Sequence, residues 1–186
     1  MEKLGFIRTA IFIVRGLFIK LFLQARGIKV GTNVWFEGFP LIRGTNVVIG
    51  NGVRIEKNVV IWQTTGGKVT IGDNCYIGIG TIINSSQGGE IKIGKDTLIA
   101  AYCLIQDNDH GTTAGTLIRK QPNFSNPIQI GNDCWLGAST CVLKGVIIED
   151  GTIIGANSVV TKNISSESIA VGVPAKILKK REQPKG

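Results

Sequence analysis

The chain of 186 residues is poor in the groups that usually build metal sites and disulfide frameworks. It has a single histidine, His110, and its four cysteines, Cys75, Cys103, Cys134 and Cys141, form no CxxC pair. A zinc site made of Cys and His ligands is therefore excluded, and no metal is expected. The cysteine spacing is not that of a disulfide framework, and no secretory signal with a cleavage site is recognisable. The sequence therefore predicts a reduced, cytoplasmic setting.

Positive charge is concentrated at the two ends of the chain, whose formal net charge is +8. Residues 1–30 carry six Lys and Arg against Glu2 alone, and residues 174–186 carry five against Glu182 alone. The middle, 31–173, is close to neutral. Because a nucleic-acid-binding domain usually has a basic face on its core, nucleic acid is not an expected partner. Each basic end needs its own explanation.

A repeat of six residues dominates the chain from Ile49 onward. Six residues suffice for one short strand and a turn, and three such faces close a triangular coil of 18 residues. Stacked coils lie about 4.8 Å apart, the spacing between paired strands. The repeat predicts an all-β parallel β-helix with the aliphatic residues stacked inside, and it places Cys75, Cys103 and Cys134 at a small inward position as buried core thiols. The leading aliphatic residues are Ile49, Ile55, Ile61, Ile71, Ile77, Ile83, Ile93, Ile99, Ile105, Ile130, Leu136, Val142, Ile148, Ile154 and Val160.

The repeat is interrupted three times, each time after the third face of a coil. Two insertions are short, and the third separates Ile105 from Ile130. All three are expected to leave from the same corner of the prism. The longest, 111–129, contains Gly111, Gly115, Pro122 and Pro127 and predicts an exposed functional loop.

Stacking of the third faces predicts a polar wall beside this loop. Asn84, Ser85 and Asp107 belong to it and are predicted to contact a polyhydroxy ligand. The wall ends at His110, where the long loop begins. The stacked segments are IWQTTG (61–66), INSSQG (83–88) and IQDNDH (105–110).

His110 is a candidate general base, since the ordinary pKa of histidine is about 6.5 and suits proton transfer near neutral pH. Its position alone leaves open a surface histidine without a chemical role. The segment IGNDCWLGASTCVLKGVIIEDGTIIGANSVVTKNISSESIAVGVPAKILKK (130–180) resembles the C-terminal half of the left-handed β-helix hexapeptide acetyltransferases. The similar members are the maltose, galactoside and nodulation-factor O-acetyltransferases and their polysaccharide-modifying relatives. The resemblance extends over about 49–180, and its specific part is the VTK…GVPAK signature.

The resemblance implies a left-handed coil and an acetyl-CoA-dependent O-acetyltransferase acting on a saccharide hydroxyl, with precursors of surface polysaccharide as the expected acceptors. It implies that His110 is the base of a direct transfer without an acyl-enzyme. Asp107 or Asp109 either orients the imidazole or only shapes the turn. The acceptor side departs from the family, which has acidic and amide residues where this chain has Gly80, Ser85 and Ser86, so the identity of the sugar stays open.

The resemblance also implies a homotrimer that binds acetyl-CoA in a groove between neighbouring subunits. Small residues would accept the pantetheine arm through their backbone groups, and lysines would meet the nucleotide phosphates. The residues at the matching positions are Ala138, Ala156, Thr161, Lys162, Lys176 and Lys179.

The N-terminal segment departs from the family as well. Residues 4–23 predict an imperfect basic amphipathic helix, with Arg8 and Arg15 on one face, which is too interrupted by charge to span a bilayer. Two interpretations stay open: peripheral contact with a membrane, at its cytoplasmic face, or packing over an open end of the β-helix or between subunits. The predicted division is 1–27 as the amphipathic helix, 28–173 as the β-helix with the loop 111–129, and 174–186 as a basic C-terminal helix or tail.

Three other functions are alternatives to O-acetylation. A zinc carbonic anhydrase on the same fold needs three histidine ligands, which this chain does not have. Transfer to an amine, as in an N-acetyltransferase for an amino sugar, is a variant of the same reaction. A catalytically silent β-helix used for assembly leaves the lysines of the C-terminal segment and the loop after His110 unexplained.

Overall fold

The computed structural model describes residues 2–64 and 66–182, with side-chain surroundings from Val14 onward. A helix, α1 (Glu2–Ala25), precedes short strands that wind into a parallel β-helix of six coils. The first face contains β1 (Lys29–Val30), β4 (Val47–Ile49), β7 (Lys68–Ile71), β10 (Glu90–Ile93), β15 (Ile128–Ile130) and β18 (Ile147–Ile148). The second contains β2 (Trp35–Phe36), β5 (Arg54–Ile55), β8 (Tyr76–Ile77), β11 (Leu98–Ile99), β16 (Trp135–Leu136), β19 (Ile153–Ile154), β21 (Ser168–Gly172) and β22 (Ala175–Lys180). The third contains β3 (Leu41–Arg43), β6 (Val60–Gln63), β9 (Ile82–Ser85), β12 (Leu104–Gln106), β17 (Cys141–Val142) and β20 (Val159–Val160).

The hexad-leading aliphatic residues form the core of this prism, which confirms the predicted parallel β-helix. Ile55, Ile77 and Ile99 are fully buried and pair directly from coil to coil. Asparagine and aspartate at the corners, such as Asn74 and Asp96, adopt positive φ, which these residues tolerate better than most. Gly72 stands where coils approach closely, since an added Cβ there would lie 2.7 Å from the Lys95 amide nitrogen. The repeat therefore encodes both the buried stack and the tight corners.

The cysteines take the positions predicted for them. Cys75, Cys103 and Cys134 are buried in the core, and Cys141 is half-buried on the third face. Burial raises the pKa of the Cys75 thiol to about 11, and it raises the pKa values of Cys103 and Cys134 in the same direction. These thiols are core residues that resist ionisation.

The three insertions leave from one corner, as predicted. The strands before them, β6, β9 and β12, are neighbours in the third sheet, and Trp62 pairs with Asn84, which pairs with Gln106. The long insertion contains a 3-10 turn (Ile118–Lys120) and an antiparallel pair, β13 (Asn108–His110) with β14 (Asn123–Ser125). The loop after His110 is thereby folded back onto the strand from which it departs.

Helix α1 closes the N-terminal end of the prism. Ile19 and Leu23 are buried against the first coil. Arg15 Nη2 donates to the Glu37 carbonyl at 2.7 Å, and Lys20 Nζ donates to the Gly31 carbonyl at 2.7 Å. The cationic groups that the sequence suggested for a membrane surface are thus directed at the first coil, while the side chain of Arg8 lies outside the described residues. In the described part of the chain, no helix combines the length and the apolar character needed to cross a bilayer.

The C-terminal segment corrects one prediction, because residues 175–180 form the strand β22 and not a short helix. This strand pairs antiparallel with β21, placing Val171 opposite Lys176 and Ile169 opposite Lys179. The edge of the second face offers unpaired backbone groups after the last coil, and pairing with them outweighs the weak helical tendency of AKILKK. Residues 183–186 lie outside the described part.

Candidate active site

A polar cleft lies where the third face meets the long loop. Its volume is about 380 Å³. One side of it is formed by successive coils. Trp62, Asn84 and Gln106 project outward into it from β6, β9 and β12. Asn84 was predicted to contact a ligand, and the structure places it in this lining. The full lining is Trp62, Thr64, Asn84, Ser86, Gln106, Asn108, Asp109, His110 and Asn123.

His110 lies at the end of the cleft, at the last position of β13, with an exposed side chain. Its cross-strand neighbour in β14 is Asn123, which faces the same space. The Gly111 amide donates to the Pro122 carbonyl at 2.9 Å, and Gln121 bridges the loop by bonding to the Thr113 backbone through both ends of its amide group. The turn that holds His110 is therefore fixed by hydrogen bonds on its loop side.

Two residues predicted to contact the ligand are instead inside the prism. Ser85 and Asp107 are fully buried, and Ser85 Oγ donates to Asp107 Oδ2 at 2.6 Å. The other carboxylate oxygen accepts from the Ser86 amide and from Asn108 Nδ2, both at 3.2 Å. Side chains alternate along a strand, so residues two places after an inward isoleucine also point inward. The prediction of direct ligand contact is wrong for Ser85 and Asp107, whose carboxylate braces the start of the β13 segment.

Asp107 or Asp109 was predicted either to orient the imidazole of His110 or only to shape the turn. The Asp107 side chain accepts a hydrogen bond from Ser85 inside the prism, and Asp109 Oδ2 lies 3.3 Å from Lys144 Nζ. Within the described part of the chain, no hydrogen bond joins the His110 ring to either carboxylate. Both residues hold the β13 segment in place, one from inside the prism and one from the surface.

Several cleft residues were not predicted to contact the ligand, and Trp62, which belongs to the stacked segment 61–66, is the largest of them. Its side chain is 39% exposed, and the guanidinium of Arg43 lies 4.5 Å from its ring centroid. The signal that would have found Trp62 is the same alternation that puts Ser85 inside, since it directs residues next to the inward isoleucines toward solvent. Asn123 could not be found in this way, because its place depends on how the loop folds back.

The residues predicted to hold acetyl-CoA lie in two places. Ala138 and Ala156 are exposed at the corner between the second and third faces, stacked so that the Asn157 amide donates to the Ala138 carbonyl at 2.8 Å. Among the described residues, the amide N–H groups of Ala138 and Ala156 have no hydrogen-bond partner and can donate to a ligand. Lys176, opposite Val171 in β22, is exposed just beyond this corner.

The other members of the set are more dispersed. Thr161 and Lys162 are exposed after β20, at the corner from which the insertions leave. Lys179 is exposed on the second face, where its Nζ lies 3.1 Å from Glu182 Oε1. Within one subunit, the structure therefore brings Ala138, Ala156 and Lys176 together along one corner but leaves Thr161 and Lys162 on another.

Comparison with known proteins finds a family profile that matches part of the repeat. Residues 127–162 match the family profile described as "Bacterial transferase hexapeptide (six repeats)". Residues 127–162 therefore carry the hexapeptide repeat that this profile describes. The resemblance to hexapeptide-repeat acetyltransferases is thereby confirmed, and two curated relatives carry names of that kind. One, a probable acetyltransferase of Mycobacterium tuberculosis, is 42% identical over 86 residues, which are 46% of this chain and 29% of the relative. Another, the putative lipopolysaccharide biosynthesis O-acetyl transferase WbbJ of Escherichia coli, is 40% identical over 91 residues, 45% of this chain and 46% of the relative.

The hexapeptide-repeat protein thus spans less than half the length of these two relatives. Its similarity to solved structures is more extensive. A structure of AntD, an N-acyltransferase from Bacillus cereus in complex with dTDP and coenzyme A, matches 86% of this chain and 88% of its own at 25% identity, with a TM-score of 0.75. A maltose O-acetyltransferase from Clostridium difficile matches 83% of this chain and 70% of its own at 25% identity, with a TM-score of 0.57.

Proposed function

We propose that the hexapeptide-repeat protein is an acetyl-CoA-dependent O-acetyltransferase that modifies a hydroxyl of a saccharide, with His110 as general base. The observation that carries this proposal is the position of His110 at the end of a cleft lined by amides and hydroxyls. Histidine is the side chain best suited to general-base catalysis near neutral pH, and the imidazole of His110 is exposed to the cleft. The lining residues can bond a polyhydroxy acceptor while the base reaches one of its hydroxyls.

The acceptor that we propose is a precursor of a surface polysaccharide. Asn84, Gln106 and Asn123 each offer an amide that can both donate and accept, which matches the donor and acceptor pattern of sugar hydroxyls. Trp62 adds one apolar surface to a cleft that is otherwise polar. The similarity to a protein named for lipopolysaccharide biosynthesis supports the same acceptor class.

The proposed reaction is a direct transfer. The imidazole of His110 takes the proton from the acceptor hydroxyl as its oxygen forms a bond to the thioester carbonyl carbon. The bond between that carbon and sulfur then breaks, the acetyl group stays on the acceptor oxygen, and CoA leaves as the thiol once it has received the proton held by His110. No covalent acyl-enzyme is part of this proposal.

Acetyl-CoA is proposed to lie along the corner that contains Ala138 and Ala156. Their unbonded amides fit the carbonyl oxygens of a pantetheine arm, and the exposed Lys176 and Lys179 fit the nucleotide phosphates. The similarity to a structure that contains coenzyme A supports an acyl-CoA co-substrate. Thr161 and Lys162 are at a different corner, and a homotrimer with its groove between subunits would let them contact the same ligand from a neighbour. We place this reaction in the cytoplasm.

Transfer to an amine is the second candidate, favoured by the extensive structural match with a protein named as an N-acyltransferase. The two reactions differ in their acceptor and in the bond that they form. Paired acceptors that differ only in a hydroxyl or an amine at one carbon separate them. Loss of the product acetyl group in mild alkali identifies an ester, whereas an amide persists.

The test of the proposal is CoA release from acetyl-CoA in the presence of a panel of saccharides. General-base catalysis contributes roughly 10²–10⁴-fold, so His110→Gln should lower kcat by about that factor with little change in the KM for acetyl-CoA. Thr112→Ala, two residues further along in the same exposed loop, is the matched control and should retain wild-type activity. Equal activity of His110→Gln and the control would refute the base assignment, and a wild-type protein that neither binds nor consumes acetyl-CoA would support the assembly alternative.

A further inference from the structure

The outward side of α1 is apolar along its whole described length. Val14, Leu17, Phe18 and Leu21 are 56–68% exposed. Their spacing of three and four residues puts them on one side of the helix. Phe22 continues the row, and Phe39, from the segment between β2 and β3, adds a ring whose centroid is 5.7 Å from that of Phe22. We refer to Val14, Leu17, Phe18, Leu21, Phe22 and Phe39 as the outer patch.

The outer patch is not the side by which α1 packs on the β-helix. That side is occupied by Ile19 and Leu23, which are almost completely buried, and by the hydrogen bonds of Arg15 and Lys20 to carbonyls of the first coil. Most capping contacts are therefore made by residues outside the outer patch, although Phe18 and Phe22 also contact Phe39. A contiguous group of large apolar side chains that remains at the surface marks an interaction site.

The rim of the outer patch is cationic. The Arg26 guanidinium lies 5.7 Å from the centroid of the Phe22 ring. Lys57 is exposed. It lies next to Gly38, the residue before Phe39, since a Cβ added to Gly38 would lie 3.3 Å from Lys57 Cγ.

The carboxylates of this region do not offset that charge. Between Val14 and Thr64 the sequence contains two, Glu37 and Glu56, and both pair with Arg54 on the second face, at 3.2 and 3.1 Å. The surface around the outer patch therefore carries positive charge without a matching set of acidic groups.

We propose that the outer patch docks the protein on an anionic phospholipid surface. Apolar side chains on a helix that lies in the plane of a membrane enter the boundary between headgroups and acyl chains, and flanking Lys and Arg meet anionic headgroups. A second copy of the chain joined patch to patch is a poorer occupant, because the contact would bring two cationic rims together. This surface lies outside the cleft and does not depend on the proposed reaction.

Docking in this way brings the cleft close to the membrane. Trp62, Asn84 and Gln106 belong to the second, third and fourth coils from the capped end. Coils stack at about 4.8 Å, so these residues lie roughly 5–15 Å beyond the first coil. Helix α1, about 10 Å across, lies between the first coil and the bilayer and adds to this distance. A sugar attached to a membrane lipid by a linkage of similar length would reach the cleft, whereas the opposite end of the prism would remain away from the bilayer.

The test is co-sedimentation of the full chain with vesicles of neutral phospholipid and with vesicles that also contain anionic phospholipid. The wild type should bind the anionic vesicles and bind the neutral ones more weakly. Leu17→Ser/Leu21→Ser should weaken binding to anionic vesicles by about tenfold for each leucine, since each side chain loses most of its apolar burial. Leu178→Ser is the matched control, because Leu178 is 67% exposed at the other end of the prism, on β22.

A charge variant separates the two components of docking. Arg26→Gln/Lys57→Gln should lower binding to anionic vesicles and leave binding to neutral vesicles unchanged. Light scattering of the same samples measures the oligomeric state. A wild type that stays in the supernatant with both vesicles would overturn the proposal. So would a Leu17→Ser/Leu21→Ser variant that keeps full vesicle binding but changes its molecular mass, which would assign the outer patch to a second copy.

Discussion

Replacing Asp107 should destabilise the protein far more than replacing Asp109, although both are aspartates and lie only two positions apart in the sequence. Asp107 is fully buried and accepts hydrogen bonds from Ser85 Oγ, the Ser86 amide and Asn108 Nδ2. Asp107→Ala would leave the Ser85 hydroxyl and the Ser86 amide without this acceptor in the interior. Asp109 makes a partly exposed ion pair with Lys144, and such pairs contribute little to stability.

The expected magnitude follows from these contacts. Each buried donor that loses its acceptor costs about 1–3 kcal/mol, and removal of a buried polar group, whose desolvation is itself unfavourable, offsets part of that cost. We therefore expect the free energy of unfolding to fall by roughly 3–5 kcal/mol for Asp107→Ala and by less than about 1 kcal/mol for Asp109→Ala. For a domain of this size, each kcal/mol lowers Tm by about 2–4 °C, so the first variant should melt roughly 6–20 °C lower.

Thermal unfolding followed by circular dichroism measures the difference directly. Asp107→Asn serves as an intermediate case, because the amide oxygen still accepts and the Ser85 hydroxyl can accept from the new amide nitrogen. It should lie between Asp107→Ala and the wild type. Equal Tm values for Asp107→Ala and Asp109→Ala would refute the interpretation of Asp107 as a buried structural brace.

Three further predictions concern the cleft, the co-substrate and the core. Trp62→Ala should raise the KM for the saccharide by about tenfold while the KM for acetyl-CoA stays unchanged, since an aromatic contact is worth about 0.5–1.5 kcal/mol beyond its buried area; equal changes in both constants would contradict an acceptor contact. Lys176→Ala/Lys179→Ala should raise the KM for acetyl-CoA with little effect on kcat, and Lys185→Ala, on the same basic tail, is the control; an unchanged KM would remove the two lysines from the site. The raised pKa of Cys75, about 11 against an ordinary value of 9.0, means that the folded state keeps its proton at a pH where the unfolded thiol loses it. The Cys75 thiol should therefore not affect stability below pH 9.0, and it should lower the free energy of unfolding as the pH rises from 9.0 toward 11. Urea unfolding measures this decrease, which Cys75→Ala should reduce. A pH dependence of Cys75→Ala identical to that of the wild type would contradict the role of this thiol.

The hexad spacing was enough to predict the core of the prism, because a buried aliphatic residue at every sixth position has few other arrangements in which to pack. The interruptions were equally informative, since their position in the repeat placed three insertions at one corner. The same reasoning predicted Asn84 and His110 as site residues, and both line the candidate cleft. These predictions rest on periodicity, which is a property of the sequence itself.

The predictions that failed depend on which side a residue faces or on partners far along the chain. Ser85 and Asp107 were grouped with Asn84 by polarity, whereas strand alternation turns them inward, where they bond to each other. The segment around Lys176 was expected to be helical, but the open edge of β21 provides backbone partners that its local sequence does not reveal. Asn123 reaches the cleft only because β14 folds back on β13.

The side-chain hydrogen bonds of α1 give the β-helix a defined first coil. A coil at the end of such a stack has carbonyl groups that would accept from another coil, and in this protein Arg15, Lys20 and Gln24 donate to carbonyls of that end instead. On the first and second faces, these carbonyls are consequently not open to the edge of another molecule. Removing α1 would expose strand edges of the kind that extend into fibrils, so the helix also limits the stack at its N-terminal end.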